Sequence, residues 1–112
     1  MEDYIRVVIN KSGIVIDFEC KFNDVENAYT KKEIVGTNWF NSFIEKFDLE
    51  DTKKVFQKLY ESGISSDTMY HTNDIRCKNN RHKLIDFENN VEILNGEKVI
   101  VSIGKEHYSH TK

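Results

Sequence analysis

Proline is absent from the sequence, and cysteine occurs only twice in its 112 residues. Without proline, internal repeats or low-complexity segments there is no visible linker, so we expect a single domain of ordinary size. The two cysteines, Cys20 and Cys77, form neither a Cys-x-x-Cys nor a Cys-x-x-Cys-His pattern. This disfavours a zinc or covalent haem site and favours a reducing, cytoplasmic compartment.

Long apolar runs and a strong excess of one charge are also lacking. No stretch approaches the roughly 20 apolar residues of a membrane span, and the first residues lack the basic flank of a signal peptide. The net charge of −3 comes from 19 acidic and 16 basic residues that are mixed along the chain, so no basic face is offered to a phosphate backbone. We therefore expect neither a membrane nor a nucleic acid as a partner of these residues.

Hydrophobic periodicity predicts a β-hairpin at the start of the chain. Residues 4–10 are rich in β-branched side chains and lead into a short loop that contains Gly13, where a positive φ is expected. The second arm alternates in the way that is typical of a half-buried strand. One face carries Ile14, Ile16 and Phe18, and the opposite face carries Val15, Asp17 and Glu19.

Apolar residues have helical spacing in the middle of the chain. Residues 22–29 predict a short helix or helical turn, and Thr30 and Glu33 have the form of a capping box that precedes Gly36. An aromatic stripe at helical spacing follows, formed by Trp39, Phe40 and Phe43. A long helix is predicted after a group of acidic residues. Its inner face is expected to contain Val55, Phe56, Leu59 and Tyr60.

Three strands are predicted for the second half of the chain. The first covers about residues 69–77 and is unusually polar, and the second covers about residues 82–94. Asn95-Gly96 is a strong hairpin signal that leads into a last strand at about residues 99–106. The predicted order is therefore two strands, a helical middle and three strands.

This order of elements, together with three local motifs, resembles a PAS domain. Residues 8–15 are similar to the opening hairpin of that family, and residues 29–40 (YTKKEIVGTNWF) are similar to its Gly-Tyr-x-x-x-Glu-Ile-x-Gly-x-x-Trp block. Residues 102–106 lie where the closing strand of the family ends. The resemblance covers about residues 4–108.

The resemblance implies an α+β fold with a five-stranded antiparallel sheet in the order 2-1-5-4-3 and helices over one face. Residues 1–108 would be one sensory domain, and residues 109–112 a frayed tail or a truncated connector to an output domain after Lys112. The implied function is signal relay in a larger bacterial sensor protein, a histidine kinase first and a diguanylate cyclase next. A homodimer is the implied assembly, and no catalytic residue is expected in the domain itself.

Two departures from the family pattern concern its motifs. Ala28 stands where the block has its first glycine, and the closing Asp-Ile-Thr of the family is matched only by Glu106-His107-Tyr108. Gly104 and Glu106 are the candidates for coupling the domain to an output domain.

A ligand pocket, if the domain has one, is expected beneath the long helix. Its candidate residues are Trp39, Phe40, Phe43, Phe56, Tyr60, His71, Asn73, Phe87 and Asn89. A plain core without a ligand is the alternative explanation, because aromatic residues at helical spacing usually pack in cores. Asn89 lies on an apolar strand face, where an unpaired amide is costly. Its expected partner is a ligand or water, or a backbone group at a strand irregularity.

The cofactor is left open, but the resemblance disfavours haem and a covalent flavin. Haem would require a histidine on the long helix, and residues 51–62 contain none. A covalent flavin would require Asn-Cys-Arg-Phe after Gly36, where this chain has Asn38-Trp39-Phe40-Asn41. A non-covalent flavin stacked on Trp39 stays open as a minor alternative. No metal is expected, because the pair His107 and His110 has no further ligands.

Two alternative functions stay open at this stage. The first is a ligand-free dimerisation domain, in which Tyr4, Ile5 and Val7 pack on a partner sheet. The second is a small α+β enzyme, such as a ketosteroid-isomerase-like or thioesterase-like protein. Such enzymes begin with a long helix, whereas this chain begins with a predicted hairpin.

Overall fold

The structure is a computed structural model that describes residues 4–21, 29–44, 46–62, 70–76 and 82–107. Within these residues the elements follow in the predicted order. They are β1 (Tyr4–Ile9), β2 (Val15–Lys21), α1 (Lys31–Ile34), α2 (Trp39–Phe43), α3 (Lys46–Ser62), β3 (Tyr70–Arg76), β4 (His82–Leu94) and β5 (Glu97–Glu106). The parts of the predictions that concern residues 22–28, 69, 77 and 108–112 lie outside the described residues.

The five strands form one antiparallel sheet in the order β2-β1-β5-β4-β3, so the predicted α+β fold and strand order are confirmed. The first strand pairs with the last, and Val7 lies opposite Ser102. On its other side β5 pairs with β4 in an unbroken ladder that ends with Leu94 opposite Glu97. The two ends of the described chain therefore meet in the middle of the sheet.

Two hairpin turns contain residues that tolerate positive φ. Asn95 and Gly96 have φ of 53° and 80°, which gives a two-residue turn whose twist matches that of the flanking strands. Gly13 has a φ of 82°, and the Asn10 side chain in the same turn accepts hydrogen bonds from two backbone N–H groups at 3.0 Å. Both predicted hairpins are confirmed.

The regular alternation predicted for the second strand is wrong. The register between β1 and β2 shifts between Val8 and Ile9, so the bulged strand contains one extra residue. As a result Val15 and Phe18 both pack in the core beneath the helices, while Ile16 packs on the opposite face of the sheet. A bulge of this kind changes which face each following side chain occupies.

The helices cover one face of the sheet and are tied to the first hairpin. The predicted capping box of α1 is present, with the Thr30 N–H donating to the Glu33 carboxylate at 3.0 Å. Gly36 has a φ of 93°, and its N–H donates to the Val15 carbonyl at 2.8 Å. The Trp39 N–H donates to the Gly13 carbonyl at 2.9 Å. These bonds position α1 and α2 against the start of β2.

The core lies between the helices and the sheet. On α3 the predicted inner residues Phe56 and Leu59 are buried, and Val55 and Tyr60 are half-buried. In the described part of the chain four polar side chains are also buried, namely Thr52, Asn73, Asn89 and Ser102. A smaller apolar cluster of Val8, Val99 and Val101 lies on the other face of the sheet, with Ile16 packed against it. In the described part of the chain no helix is long and apolar enough to cross a membrane.

Gly104 provides a test of this packing. A Cβ atom at this position would clash with Ile85 and would lie 2.8 Å from the Phe87 ring. We expect Gly104→Ala to lower the free energy of unfolding by about 3 kcal/mol in urea denaturation, the upper end of what overpacking costs. Gly36→Ala is the control, since Gly36 has positive φ but open space around its Cβ position, and should cost about 1 kcal/mol. Equal losses in the two variants would contradict the packing argument.

Candidate ligand-binding site

A small cavity lies between the helices and strands β3, β4 and β5, and we call it the polar cavity. It is lined by Trp39, Phe56, His71, Asn73, Phe87, Asn89 and Ser102. The space between these side chains is too narrow to seat a water molecule. Six of the nine predicted pocket residues therefore lie together around one cavity.

Two hydrogen-bonded pairs form the polar side of this cavity. The Ser102 hydroxyl donates to the Asn89 side-chain carbonyl at 2.6 Å, and the two residues face each other across β4 and β5. The partner of this carbonyl is therefore a neighbouring side chain, a possibility that neither expectation for Asn89, a ligand or water and a backbone group, had included. The register between β4 and β5 pairs the two residues directly.

Thr52 on α3 forms the second pair with Asn73 on β3. The Thr52 hydroxyl lies 2.7 Å from the Asn73 amide oxygen, 2.8 Å from the Asp48 carbonyl and 3.4 Å from His71 Nε2. A hydroxyl carries one proton and cannot donate to both oxygens. Both short contacts are satisfied when the Asn73 amide is flipped, so that its NH₂ group donates to Thr52 and Thr52 donates to Asp48. Thr52 thus joins the helix to the polar strand.

Aromatic rings form the other side of the cavity. The Trp39 ring lies 5.2 Å from that of Phe43 and 6.5 Å from that of Phe87, measured between centroids, and the second pair is edge-to-face. Phe43 also contacts Tyr29 edge-to-face at 5.2 Å. Phe43 therefore packs behind Trp39, in the core.

Phe40 and Tyr60 line a second hollow, which we call the hairpin groove because it lies between the first hairpin turn and α3. Its volume is about 330 Å³, and it is lined by Lys11, Ser12, Phe40, Lys53, Phe56, Gln57, Tyr60 and Glu61. Phe56 lines both the groove and the polar cavity, and its ring contacts that of Phe40 edge-to-face at 5.2 Å. The predicted pocket residues are thus divided between the polar cavity, the groove and the core.

Sequence reasoning missed Thr52 and Ser102. Thr52 lies four residues before Phe56 and seven before Leu59, so the helical spacing contained a signal for its burial. Ser102 alternates with Ile100 and Gly104 on β5, which places it on the inner face. Its pairing with Asn89, however, depends on a register between strands that the sequence alone does not specify.

The two candidates for signal coupling lie near the end of β5. Gly104 leaves room for Ile85 and Phe87 of β4, and the Glu106 carboxylate accepts from Lys83 Nζ at 3.2 Å. Just after the strand, the His107 N–H donates to the Leu84 carbonyl at 2.7 Å. These contacts hold the end of β5 against β4.

Asp86 joins His107 to the sheet on its outer face. Its carboxylate lies 2.8 Å from His107 Nδ1 and accepts from the Thr72 hydroxyl at 2.6 Å. Burial acts to raise the pKa of Asp86, but the hydrogen bonds from Thr72 and His107 outweigh it and hold the pKa below its ordinary value. In the described residues no group of three or more potential metal ligands comes together.

No family model and no curated protein matches the sequence. Solved structures of PAS domains do match it. The PAS domain of the quorum-sensing receptor RpfR from Cronobacter turicensis, in complex with C12:0, gives a TM-score of 0.74 over 96% of this chain and 97% of that one, at 15% identity. The Cycle PAS-B domain of Drosophila melanogaster, with bound ethylene glycol, gives 0.72 over 92% and 99%, at 13% identity.

A third match is a PAS domain from a two-component sensor histidine kinase. It gives a TM-score of 0.61 over 93% of this chain and 85% of that one, at 13% identity. The three structures share with this chain the fold that the resemblance predicted. The chain therefore has the fold of PAS domains, and at these identities the likeness establishes the fold alone.

The Asp86 contacts predict a small dependence of stability on pH. A carboxyl group whose pKa is lowered by folding stabilises the fold above its unfolded pKa of about 4, and this contribution is lost as the pH falls through the folded value. Because the pair is half-exposed, we expect less than about 1 kcal/mol. Between pH 6 and pH 3, the free energy of unfolding measured by urea denaturation should fall further for the unaltered protein than for Asp86→Asn. Asp51→Asn, on the exposed side of α3, should leave the loss unchanged, and an identical loss in Asp86→Asn would refute the assignment.

Proposed function

We propose that this domain is a cytoplasmic sensory module that binds a small molecule in the polar cavity and relays the event to a following output domain. The PAS fold supports this proposal, as do the related domains that contain C12:0 in RpfR and ethylene glycol in Cycle. The proposed parent is a bacterial sensor histidine kinase, with a diguanylate cyclase second. In this proposal the domain senses and another domain performs the chemistry.

The observation that carries the proposal is the presence of buried hydrogen-bonding side chains beside an aromatic wall. Apolar residues of similar size would fill the same space without the cost of desolvating polar groups. The pairs Asn89–Ser102 and Thr52–Asn73 have the donors and acceptors to exchange a protein partner for a ligand. Among the described residues that line the cavity there is no Lys, Arg, Asp or Glu. A small uncharged, hydrogen-bonding molecule therefore fits this lining best.

Binding in this cavity requires movement, because the present space does not seat even one water molecule. A ligand would have to displace an aromatic side chain, and Phe56 belongs to the helix that covers the cavity. A molecule that binds only the displaced arrangement shifts the population toward it. Strand β5 carries Ser102, Gly104 and Glu106 at alternate positions. Ser102 therefore lies on the same face of the strand as both candidates for signal coupling. We propose that signals leave the domain along this strand.

Ligand binding can be tested with the purified protein and with a panel of small probes. Denaturing extraction followed by mass spectrometry should identify a molecule that stays bound after purification. Titration with ethylene glycol, acetamide and short alcohols should shift backbone NMR signals of Asn73, Asn89 and Ser102. Ser102→Val, which adds bulk inside the cavity, should weaken the best probe about tenfold or more, the loss expected for one buried hydrogen bond with its partner left unpaired.

Ile103→Val is the matched control, since it alters the next residue of β5 on the opposite face of the sheet. It should bind the probe as the unaltered protein does. The ligand proposal fails if the folded protein contains no extractable molecule and no probe shifts the signals of the cavity residues. The ligand-free dimerisation domain would then remain as the alternative function.

The alternative is a dimerisation domain without a ligand, and the outer face of the sheet favours it. The expectation that Ile5 and Val7 meet a partner sheet is wrong. Both residues are buried beneath the helices, because alternation in β1 turns them inward. Tyr4 lies at the start of the strand and donates its hydroxyl to Glu19. Ile103 and Leu84 are apolar residues of the outer face that stay more than one third exposed, so a partner sheet would cover these two.

Sedimentation equilibrium tests this alternative. If the outer face is a dimer interface, Ile103→Asp should weaken self-association about tenfold or more, because a buried charge without a partner is costly. Ile93→Asp is the control, since Ile93 is even more exposed but lies at the far end of β4. A protein that is monomeric at every concentration tested would exclude self-association of this chain through that face.

A further inference from the structure

The hairpin groove carries features of a ligand site of its own, separate from the polar cavity. It opens at the surface beside α3 and has room for a small molecule, whereas the polar cavity does not seat a water molecule. Its volume of about 330 Å³ lies at the lower end of the range of small-molecule sites, about 300–1,000 Å³. A groove of this size suits a single small molecule and is too small for a macromolecular surface.

The floor of the groove consists of aromatic rings that the fold holds in place. Phe40 contacts Phe56 edge-to-face, and a Cβ atom on Gly13 would lie 2.8 Å from the Phe40 ring. The absence of a side chain at Gly13 thus makes room for that ring. The Tyr60 hydroxyl donates to the Ile9 carbonyl at 2.8 Å. Burial and the charge of Glu97 raise the pKa of Tyr60, so the hydroxyl stays a neutral donor.

Charges along the rim of the groove are separated. Lys53, Gln57 and Glu61 follow at four-residue spacing on one face of α3, and Gln57 donates to the Glu61 carboxylate at 3.1 Å. Because a helix rises about 1.5 Å per residue, Glu61 lies about 12 Å along the axis from Lys53. The negative charge is therefore held away from Lys53 by about two turns of helix.

Two lysines line this groove and are available to an anion. Lys11 comes from the first hairpin turn and Lys53 from α3. Neither lysine forms an ion pair with the parts of the chain that the structure describes. An ammonium group beside an apolar surface attracts a carboxylate more strongly than one in open water, because water is partly excluded.

We propose that the hairpin groove binds a small amphipathic carboxylate, with its apolar part on Phe40, Phe56 and Tyr60 and its carboxylate near Lys11 and Lys53. Aromatic rings offer a large apolar contact area for the tail, and the two ammonium groups offer charge-assisted hydrogen bonds to the head. This site does not depend on a ligand in the polar cavity. Phe56 lines both spaces, so a molecule that turns its ring changes the wall of the cavity as well.

Octanoate is a suitable probe, with octanol as its uncharged counterpart. Octanoate should shift backbone NMR signals of Lys11, Ser12 and the 53–61 part of α3, and octanol should bind about tenfold more weakly. The double variant Lys11→Gln with Lys53→Gln should lose about tenfold in octanoate affinity by calorimetry, as expected when charge-assisted hydrogen bonds are removed. Added salt should weaken octanoate but not octanol.

The matched control is Lys54→Gln with Lys58→Gln, which removes two lysines of the same helix that do not line the groove. This control should bind octanoate as the unaltered protein does. An equal loss of octanoate affinity in both double variants would show that surface charge alone attracts octanoate, and it would overturn the proposed site. Octanoate shifts confined to Asn73, Asn89 and Ser102 would also overturn it, while supporting the polar cavity. The cavity proposal is tested with uncharged probes on the signals of Asn73, Asn89 and Ser102, and this one with octanoate on the signals of Lys11 and Ser12, so failure of the cavity proposal and failure of this one are distinguishable.

Discussion

The pairing of β1 with β5 is the interaction on which the rest of the structure depends. It joins the opening hairpin to the three closing strands, although the two segments are separated by the whole helical middle of the chain. The inward residues of β1, Ile5, Val7 and Ile9, are all nearly completely buried. Without this pairing, α1 and α2 would be tied to one small sheet and α3 would cover another, and no enclosed space could form between them.

The buried polar side chains of this core form hydrogen-bonded pairs that join neighbouring elements. Asn89 and Ser102 link β4 to β5, and Thr52 and Asn73 link α3 to β3. Because each buried polar group has a cost unless it is hydrogen-bonded, such pairs constrain the alignment of the elements that carry them. The Asp48 carboxylate adds a further link by accepting from the Asp74 N–H of the edge strand at 2.9 Å. The long helix is thus aligned on β3 by polar contacts as well as by apolar packing.

Much of the fold could be predicted from local patterns. Asn95-Gly96 specified its turn, the spacing of Phe56 and Leu59 specified the buried face of α3, and the alternation around Asn89 placed its amide inside. The bulge in β2 could not be predicted, because an extra residue opposite Val8 and Ile9 has no local signature in a run of β-branched residues. The partner of Asn89 could not be predicted either, since it depends on which residue of a distant strand lies opposite.

Strand β5 connects the candidate site with the point where the chain leaves the sheet. Its inner positions are, in order, Ile100 in the core, Ser102 at the cavity, Gly104 beneath Phe87, and Glu106 paired with Lys83. The ladder with β4 is unbroken across these positions, so β5 cannot shift at Ser102 alone without straining the hydrogen bonds on either side. A ligand that separated Ser102 from Asn89 would therefore act on the strand as a unit. In the proposed sensory role, the stiff strand transmits a change in the hydrogen-bond partner of Ser102 to Glu106 and His107.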